Sequence, residues 1–337
     1  MLKAGIVGFG KMGQIRARSI QGSKNIYLDG VYENTNHEFK FNNPTIHFYE
    51  SVNELLKANL DVVFVCTYVS SAPIYVKQFL ENGMHVFCEK PPALNSKQVQ
   101  EIIEVERRSG AILKFGFNHR YHGSVLDAIS LAKKKSFGKI LWMRGVYGKA
   151  GSIDFSSNWR NYKEFSGGGI LIDQGIHILD LFRHISQVEF KKNYSLLTNH
   201  YWDVECEDNA FIVLEEKDST SKAPIIATLH STANQWKHKF SLEITYENGY
   251  INLEGILSET MSYSPEKLII AKKDSGNNIN NLGKPSEEIL YYDNDNSWNL
   301  ELKEFVEAIE NKTKIKNGNS IDALKVMELI DSIYENH

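Results

Sequence analysis

The N-terminal segment combines an apolar strand pattern, Leu2–Val7, with a glycine-rich turn and a helical pattern that continues to about Ile20. The turn reads GFGKMG and comprises Gly8, Phe9, Gly10, Lys11, Met12 and Gly13. A GxGxxG turn that ends a strand and opens a helix is typical of dinucleotide binding, because free helical N–H groups favour a pyrophosphate. The first glycine permits the tight turn, the second a close approach of backbone to ligand, and the third close packing of helix on sheet. The alternative is a purely structural glycine turn.

Strand and helix patterns alternate over the first 120 residues. The run Asp61–Thr67 is continuous and β-branched, as expected of a parallel strand covered on both faces. Helical patterns lie on both sides of it, with Ser51 and either Asn95 or Ser96 as candidate N-caps and Gly110 as a stop. This alternation predicts an α/β fold, a Rossmann-type doubly wound parallel sheet.

The pattern changes after Arg120, where segments with period-two alternation and turn residues between them predominate. They predict a largely antiparallel sheet, with a helix near Gly169–His184 and two amphipathic helices at the end of the chain. We therefore predict two domains, a dinucleotide-binding domain over residues 1–120 and an α/β domain with a large, mostly antiparallel open sheet over 121–337. The length of 337 residues agrees with two domains.

Charge and cysteine content narrow the class of protein. The net charge of −4 argues against a nucleic-acid binder and against a polybasic membrane-surface protein. Three widely spaced cysteines fit neither a disulfide framework nor a CxxC metal site. No apolar stretch approaches the roughly 18 residues of a membrane span, and the first residues lack a signal-peptide pattern. We therefore expect a cytoplasmic protein.

Glu33 ends the second predicted strand, 20 residues beyond Gly13. An acidic residue at this place hydrogen-bonds the adenosine ribose hydroxyls of NAD and repels a 2′-phosphate. The neighbours Asn34, Thr35 and Asn36 bring no arginine to receive such a phosphate. The pattern therefore favours NAD over NADP, with a solvated surface glutamate as the alternative.

Lys90 follows a short buried strand within the sequence Glu89-Lys90-Pro91-Pro92. Ligands bind at the carboxyl ends of strands in open α/β sheets, and two prolines fix the backbone there. A cation at this place is suited to polarise a carbonyl or to stabilise an alkoxide. A surface lysine in a loop is the alternative.

A glycine run, Gly167-Gly168-Gly169, precedes the segment that carries Asp173 and His177. Their i, i+4 spacing puts both side chains on one face of a helix. Asp180 is a candidate carboxylate for orienting His177 as a general base near neutral pH. A metal site lacks third and fourth ligands at a recognisable spacing, and a core histidine paired with Asp180 is the structural alternative.

Together, the glycine turn, the Glu89-Lys90-Pro91 segment and the Asp173–His177 segment resemble, in order and spacing, the Gfo/Idh/MocA oxidoreductases, the glucose-fructose oxidoreductase and inositol dehydrogenase group. The resemblance covers essentially the whole chain. It implies a Rossmann domain followed by a domain whose open sheet forms a subunit interface, and therefore a homodimer or homotetramer.

The resemblance also implies roles for individual residues. The catalytic lysine of the family falls on Lys90, and its aspartate and histidine fall on Asp173 and His177. Cofactor contacts are implied for residues at three strand ends, namely Glu33, Thr67, Tyr68, Glu89 and Lys90. Substrate contacts are implied for Asn118, Trp159, Arg160, Asp173 and His177. The family's Thr-Pro-Asn-x-x-His stretch is largely lost here, since residues 67–72 read TYVSSA.

The resulting hypothesis is an NAD-dependent dehydrogenase that oxidises a secondary alcohol of a sugar, nucleotide-sugar or cyclitol to a ketone. His177 is the general base, Lys90 stabilises the alkoxide, and Asp173 orients His177 or a substrate hydroxyl. A nucleotide-activated sugar is slightly favoured, with inositol second. The alternatives are a redox-neutral, glycosidase-type enzyme with tightly held NAD and a non-catalytic NAD- or sugar-binding sensor.

Overall fold

The computed structural model describes residues 1–34, 46–134, 136–151, 158–273 and 283–335. Its contacts divide the chain into two compact units. Unit 1 contains residues 1–118, 164–167 and 298–328, and unit 2 contains residues 119–163, 168–297 and 329–337. The predicted domain boundary at residue 120 stays a prediction. Thr35 and Asn36, the predicted neighbours of Glu33, lie outside the described residues.

In the described part of unit 1, six parallel strands form a single sheet in the order β3-β2-β1-β4-β5-β6. The strands are β1 Leu2–Val7, β2 Ile26–Tyr32, β3 His47–Tyr49, β4 Val62–Val65, β5 His85–Glu89 and β6 Leu113–Gly116. β4 is buried along its whole length, as its continuous apolar run predicts. The order reverses direction between β1 and β4, which is the switch point where a doubly wound sheet binds its ligand.

Helices connect these strands: α1 Lys11–Gln21, α2 Val52–Lys57, α3 Ala72–Glu81 and α4 Ser96–Ser109. The predicted helix ends are confirmed. The Ser51 and Asn95 side chains accept hydrogen bonds from backbone N–H groups three residues on, and Gly110 ends α4 with a positive φ. Two further helices lie near the end of the chain, α8 Ser297–Glu310 and α9 Ser320–Tyr334.

Within unit 1, α8 closes one side of the core. Phe305 packs edge-on against Phe64 and Phe87, and all three rings are buried. This apolar contact explains why residues 298–328 join the unit that the first 118 residues begin.

Unit 2 is built on a sheet whose eight described strands run in the order β14-β13-β12-β11-β7-β10-β9-β8. The strands are β7 Ile140–Ala150, β8 Phe190–Thr198, β9 Asn209–Glu216, β10 Ile226–Thr232, β11 Asn234–Tyr246, β12 Gly249–Glu254, β13 Glu266–Lys272 and β14 Glu287–Tyr292. Neighbouring strands pair antiparallel, except that β7 and β10 pair parallel. The prediction of a large, mostly antiparallel sheet is confirmed.

Three helices in this part of the chain are α5 Gly123–Lys133, α6 Lys163–Ser166 and α7 Ile176–Ser186. Short 3-10 segments cover Asn118–Tyr121 and Trp159–Asn161, and one π-helical turn covers Leu171–Gly175. α7 lies on the sheet at Gly145, where an added Cβ would come within 2.2 Å of the Ile178 side chain. Since β7 must approach α7 this closely, a larger residue does not fit at position 145.

The sequence reading missed the edge strands β3, β8 and β14. β8 shows no period-two alternation because its register shifts between Lys192 and Tyr194. Edge strands also bury few side chains, so the apolar signal that marks central strands is weak there. Among the described residues, the longest apolar helical stretches fall short of what a membrane-spanning helix requires.

Candidate functional site

In unit 1, the residues predicted to bind the cofactor lie at one edge of the sheet, because parallel strands end on the same side. Gly8 follows β1, Glu33 follows β2, Thr67 follows β4 and Lys90 follows β5. Asn118 follows β6 by two residues and is buried. The sheet topology therefore assembles these separate segments into one candidate site.

Each glycine of the turn meets a different constraint. Gly8 has a φ of +85°, and an added Cβ would lie 2.5 Å from the Cys66 carbonyl oxygen. A Cβ on Gly13 would lie 2.2 Å from the Gly8 carbonyl oxygen, so α1 packs directly on the turn. A Cβ on Gly10 would meet no described atom within 4 Å. The fold needs the first and third glycines, whereas the second leaves an open cradle of the kind that a pyrophosphate occupies.

The N-terminus of α1 suits an anion. Its first turn, which includes Lys11 and Met12, carries no acidic side chain. Phe9 is fully buried and meets Phe48 edge-on, with ring centroids 6.0 Å apart. The buried ring anchors the turn, so the free N–H groups of the helix are held in place.

Glu33 lies beside the glycine turn. Its carboxylate accepts hydrogen bonds from the backbone N–H of Phe9 at 2.7 Å and of Asn34 at 2.9 Å. The chain itself therefore holds this carboxylate at the end of β2, where the adenosine ribose of a dinucleotide lies.

Glu89 and Lys90 are neighbours with different surroundings. The Glu89 carboxylate is buried and accepts from the Arg16 guanidinium at 2.6 Å, and Arg16 also donates to Glu301 of α8 at 2.7 Å. The guanidinium lies over the Phe87 ring, 4.1 Å from its centroid. This network fixes the end of β5 and so positions Lys90, which is half-buried and followed by a cis peptide bond to Pro91.

The stretch after β4 forms a turn at Thr67 and Tyr68, where Ser71 N–H donates to the Tyr68 carbonyl at 3.0 Å. The Tyr68 ring is partly exposed and lies 5.7 Å from that of Phe165. A tyrosine ring thus lines the strand end in this chain, where the family pattern that it departs from has proline and asparagine.

In unit 2, Asp173 lies in the π-helical turn, and three side chains meet its carboxylate. Arg160 Nε donates to it at 3.2 Å, Gln174 Nε2 donates at 2.9 Å, and the Lys149 ammonium lies 3.7 Å away. The Arg160 guanidinium also lies over the Trp159 ring, 4.3 Å from its centroid. π-helical turns inside helices occur frequently at functional sites, since they turn a side chain off the regular helical face. The sequence predicted a helix here but not this turn.

His177 belongs to an aromatic and polar cluster that sequence reasoning largely missed. Its ring stacks on that of His119 with centroids 3.6 Å apart, and His119 Nε2 lies 3.2 Å from the Tyr147 hydroxyl. The Tyr147 ring in turn meets that of Tyr263. Burial raises the pKa of Tyr147, and the nearby Tyr263 and Asp173 raise it further. The Tyr147 hydroxyl therefore keeps its proton and can both donate and accept hydrogen bonds near neutral pH.

The predicted pairing of Asp180 with His177 is wrong. Both Asp180 oxygens accept from Arg120, at 2.8 and 2.5 Å, and both residues are buried. A guanidinium presents two parallel donors that match a carboxylate, so it holds Asp180 in a bidentate pair. Arg120 therefore takes both oxygens of Asp180, while the ring of His177 stacks on that of His119.

The glycine run makes room for close contacts on both sides. An added Cβ on Gly169 would lie 2.0 Å from the Glu207 carbonyl oxygen, and one on Gly168 would lie 2.2 Å from the Tyr334 hydroxyl. The Glu207 carboxylate accepts from the backbone of Gly169 and Leu171 and from the Tyr334 hydroxyl. Glu207 thus fixes the start of the segment that carries Asp173 and His177.

Comparison with known proteins agrees with both units. Residues 2–117 match the oxidoreductase family with an NAD-binding Rossmann fold, and residues 125–252 match the GFO/IDH/MocA C-terminal domain. The chain is 34% identical to D-glucoside 3-dehydrogenase of Escherichia coli (strain K12) over 133 residues, which is 39% of this chain and 37% of that protein. It is 28% identical to myo-inositol 2-dehydrogenase of Thermotoga maritima over 198 residues, 58% of each chain.

The fold extends further than these sequence matches. The aldose-aldose oxidoreductase of Caulobacter crescentus superposes with a TM-score of 0.81 at 19% identity, covering 99% of this chain and 96% of that one. The sequence matches span from about a third to three fifths of the two curated relatives. Two family models that together cover most of the chain, and a fold shared over its whole length, show that the chain belongs to the Gfo/Idh/MocA family of oxidoreductases.

Proposed function

We propose that the chain is an NAD-dependent dehydrogenase that oxidises a secondary alcohol of a sugar or cyclitol to a ketone. The observation that carries this proposal is the cluster in unit 2, where Asp173 meets Arg160 and Lys149 while His177 stacks on His119. Such a cluster offers donors and acceptors for several hydroxyl groups and an imidazole for one proton. The named activities of the two curated relatives, both sugar or cyclitol dehydrogenases, support it.

The proposed roles follow from the chemistry of each side chain. His177 takes the proton of the reacting hydroxyl, and the cation of Lys90 stabilises the alkoxide as it forms. Asp173 holds a neighbouring hydroxyl, since Arg160 and Gln174 fix its carboxylate. NAD, when bound at Gly8–Gly13, supplies the acceptor for the hydride of the same carbon.

The preference for NAD over NADP is part of the proposal. The Glu33 carboxylate is held at the end of β2 by two backbone N–H groups. A negative charge fixed there repels a 2′-phosphate. Glu33→Ser removes this charge and should therefore reduce the preference for NAD over NADP. The measurement is the ratio of kcat/KM with NAD to kcat/KM with NADP.

The test of the activity is absorbance of reduced nicotinamide with inositols, free sugars and nucleotide-sugars, each with NAD and with NADP. Lys90→Ala should reduce turnover strongly while NAD affinity changes little, and the exposed Lys97→Ala, seven residues away, serves as the control. Equal loss of turnover and of NAD affinity in Lys90→Ala would contradict the proposed role. NAD that copurifies and resists dialysis, together with no net reduction, would favour the redox-neutral alternative.

We further propose that the chain assembles through the outer face of the unit 2 sheet, as a homodimer or homotetramer. α7 covers one face, while large side chains on the other remain exposed, among them Trp142, Tyr194, Leu196, Phe211, Ile289 and Tyr291. An apolar face of this extent is typical of a protein interface. Phe211→Glu should shift the mass measured by sedimentation towards the monomer, and an unchanged mass would contradict this assignment.

The proposed location is the cytoplasm. Cys66, Cys88 and Cys206 all lie in described ranges and all are free thiols. Free thiols are typical of a reducing compartment, and fluorescent tagging of the protein in its own cell would test this proposal.

A further inference from the structure

A cavity of about 280 Å³ opens in unit 2, and its lining includes none of the proposed catalytic residues Lys90, Asp173 and His177. Aromatic and neutral polar side chains form its walls, namely His200, Tyr201, Trp202, Asn234, Gln235 and Trp236. Cavities lined by aromatic rings with a few oriented polar groups are typical of small-molecule sites. We propose that this cavity binds the second, non-reacting ring of a neutral glycoside, a proposal that rests on the proposed function and narrows its substrate class.

Two of the three large aromatic side chains in the walls are exposed. Trp236 is 77% exposed and Tyr201 is 58% exposed. The Tyr201 ring meets Trp202 and Trp236 edge-on, at interplanar angles of 82° and 88°. The large exposed fractions of Tyr201 and Trp236 leave ring surface open to a ligand. A pyranose presents C–H groups on its faces and hydroxyls around its rim, so it can lie on an aromatic face while its rim stays hydrated.

A buried carboxylate holds the cavity in shape. Asp208 is 1% exposed and accepts from the backbone N–H groups of His200, Tyr201 and Trp202, at 3.0, 2.8 and 3.2 Å. It also accepts from Asn234 Nδ2 at 3.1 Å. One carboxylate thus fixes both segments that form the walls, so little conformational freedom remains to be lost on binding.

The same contact fixes the Asn234 side chain and leaves its amide oxygen without a described donor. Because Asn234 gives its amide hydrogen to Asp208, the orientation of its side chain is fixed. Its buried Oδ1 accepts no hydrogen bond within the described part of the chain. The Asn234 side chain is thus held in one position at the cavity wall.

The chemistry of the walls favours a neutral ligand. Apart from the His200 imidazole and the Tyr201 phenol, the described side chains that line the cavity carry no ionisable group, and the Asp208 carboxylate is buried behind them. A phosphate or a nucleotide diphosphate requires cationic partners, which this lining does not offer.

The cavity lies next to the Asp173 cluster along β7. The Lys149 ammonium lies 3.7 Å from Asp173, while the next residue, Ala150, pairs with Asn234. Gly151 follows, and an added Cβ there would lie 1.6 Å from the Trp202 ring. Three consecutive residues therefore lead from the proposed hydroxyl-binding cluster to the cavity wall, a span suited to two linked rings.

The test measures binding and not turnover, so it remains informative if the dehydrogenase proposal fails. Calorimetry in the presence of NADH compares glucose, as a one-ring probe, with maltose, cellobiose and trehalose, and with UDP-glucose as a charged probe. The proteins are the wild type, Trp236→Ala, Tyr201→Ala and, as a control, Tyr27→Ala, an exposed aromatic residue of unit 1. We expect at least one disaccharide to bind about tenfold more tightly than glucose.

Trp236→Ala and Tyr201→Ala should each remove that advantage and leave glucose affinity unchanged, whereas Tyr27→Ala should keep it. The proposal is overturned if no disaccharide binds more tightly than glucose, or if the two substitutions weaken glucose equally. It is also overturned if they weaken UDP-glucose alone, or if they only change the sedimentation mass and leave every sugar affinity intact.

Discussion

Gly10→Ala should separate cofactor binding from folding. Gly10 has a φ of −64°, which any L residue adopts, and an added Cβ meets no described atom within 4 Å. The fold should therefore tolerate alanine. Alanine has a lower backbone entropy than glycine in the unfolded state, and this gain offsets its weaker capping of α1. The free energy of unfolding should therefore change by no more than about 0.5 kcal/mol.

The added methyl group occupies the cradle that the pyrophosphate needs. Overpacking of this kind costs about 1–3 kcal/mol. That cost corresponds to a Kd for NAD raised by roughly 5- to 150-fold. NAD affinity is read by fluorescence titration, and the free energy of unfolding by urea denaturation of the same samples.

Gly13→Ala is the matched comparison. Its Cβ would lie 2.2 Å from the Gly8 carbonyl oxygen, so α1 must move and the fold should lose stability. Wild-type NAD affinity in Gly10→Ala would refute the assignment of the turn as the pyrophosphate site. A large loss of stability in Gly10→Ala would refute the geometric argument itself.

Three further outcomes are expected. Glu266 is buried, and although burial by itself raises its pKa, hydrogen bonds from His122, Ser124 and Leu257 lower it from 4.5 to about 2. Its carboxylate therefore stabilises the fold above pH 4.5. This contribution, up to about 3 kcal/mol, is lost as the pH falls towards 2. In Glu266→Gln the free energy of unfolding should therefore fall less steeply over this acid range than in the wild type. Asp180→Asn should cost about 3–5 kcal/mol in urea denaturation, because it leaves the Arg120 cation buried without its bidentate partner. Tyr334→Phe removes one hydrogen-bond donor to Glu207 and should lower kcat more than it changes KM. A variant with wild-type stability and wild-type kcat would show that this hydrogen bond does not position the Asp173 segment.

Several features follow from the sequence alone, because they depend on local spacing. The turn Gly8–Gly13, the caps at Ser51 and Asn95 and the run Asp61–Thr67 each involve neighbours along the chain, whose geometry the backbone dictates. The two kinds of sheet follow from whether apolar residues run continuously or alternate. The family follows from the order and spacing of three motifs.

Other features depend on contacts between distant parts of the chain, which no local pattern encodes. Asp180 lies three residues from His177, yet it pairs with Arg120, 60 positions earlier, because a guanidinium matches a carboxylate better than an imidazole does. The stacking of His119 on His177 and the approach of Lys149 to Asp173 arise in the same way. Likewise, the cavity walls at Tyr201 and Trp236 belong to separate chain segments, and Asp208 binds the backbone of Tyr201 and the side chain of Asn234, two residues before Trp236. The sequence alone thus determined the kinds of residue available for the chemistry, whereas the tertiary structure decided their partners, since side-chain pairing in a folded chain depends on distance in space and on burial.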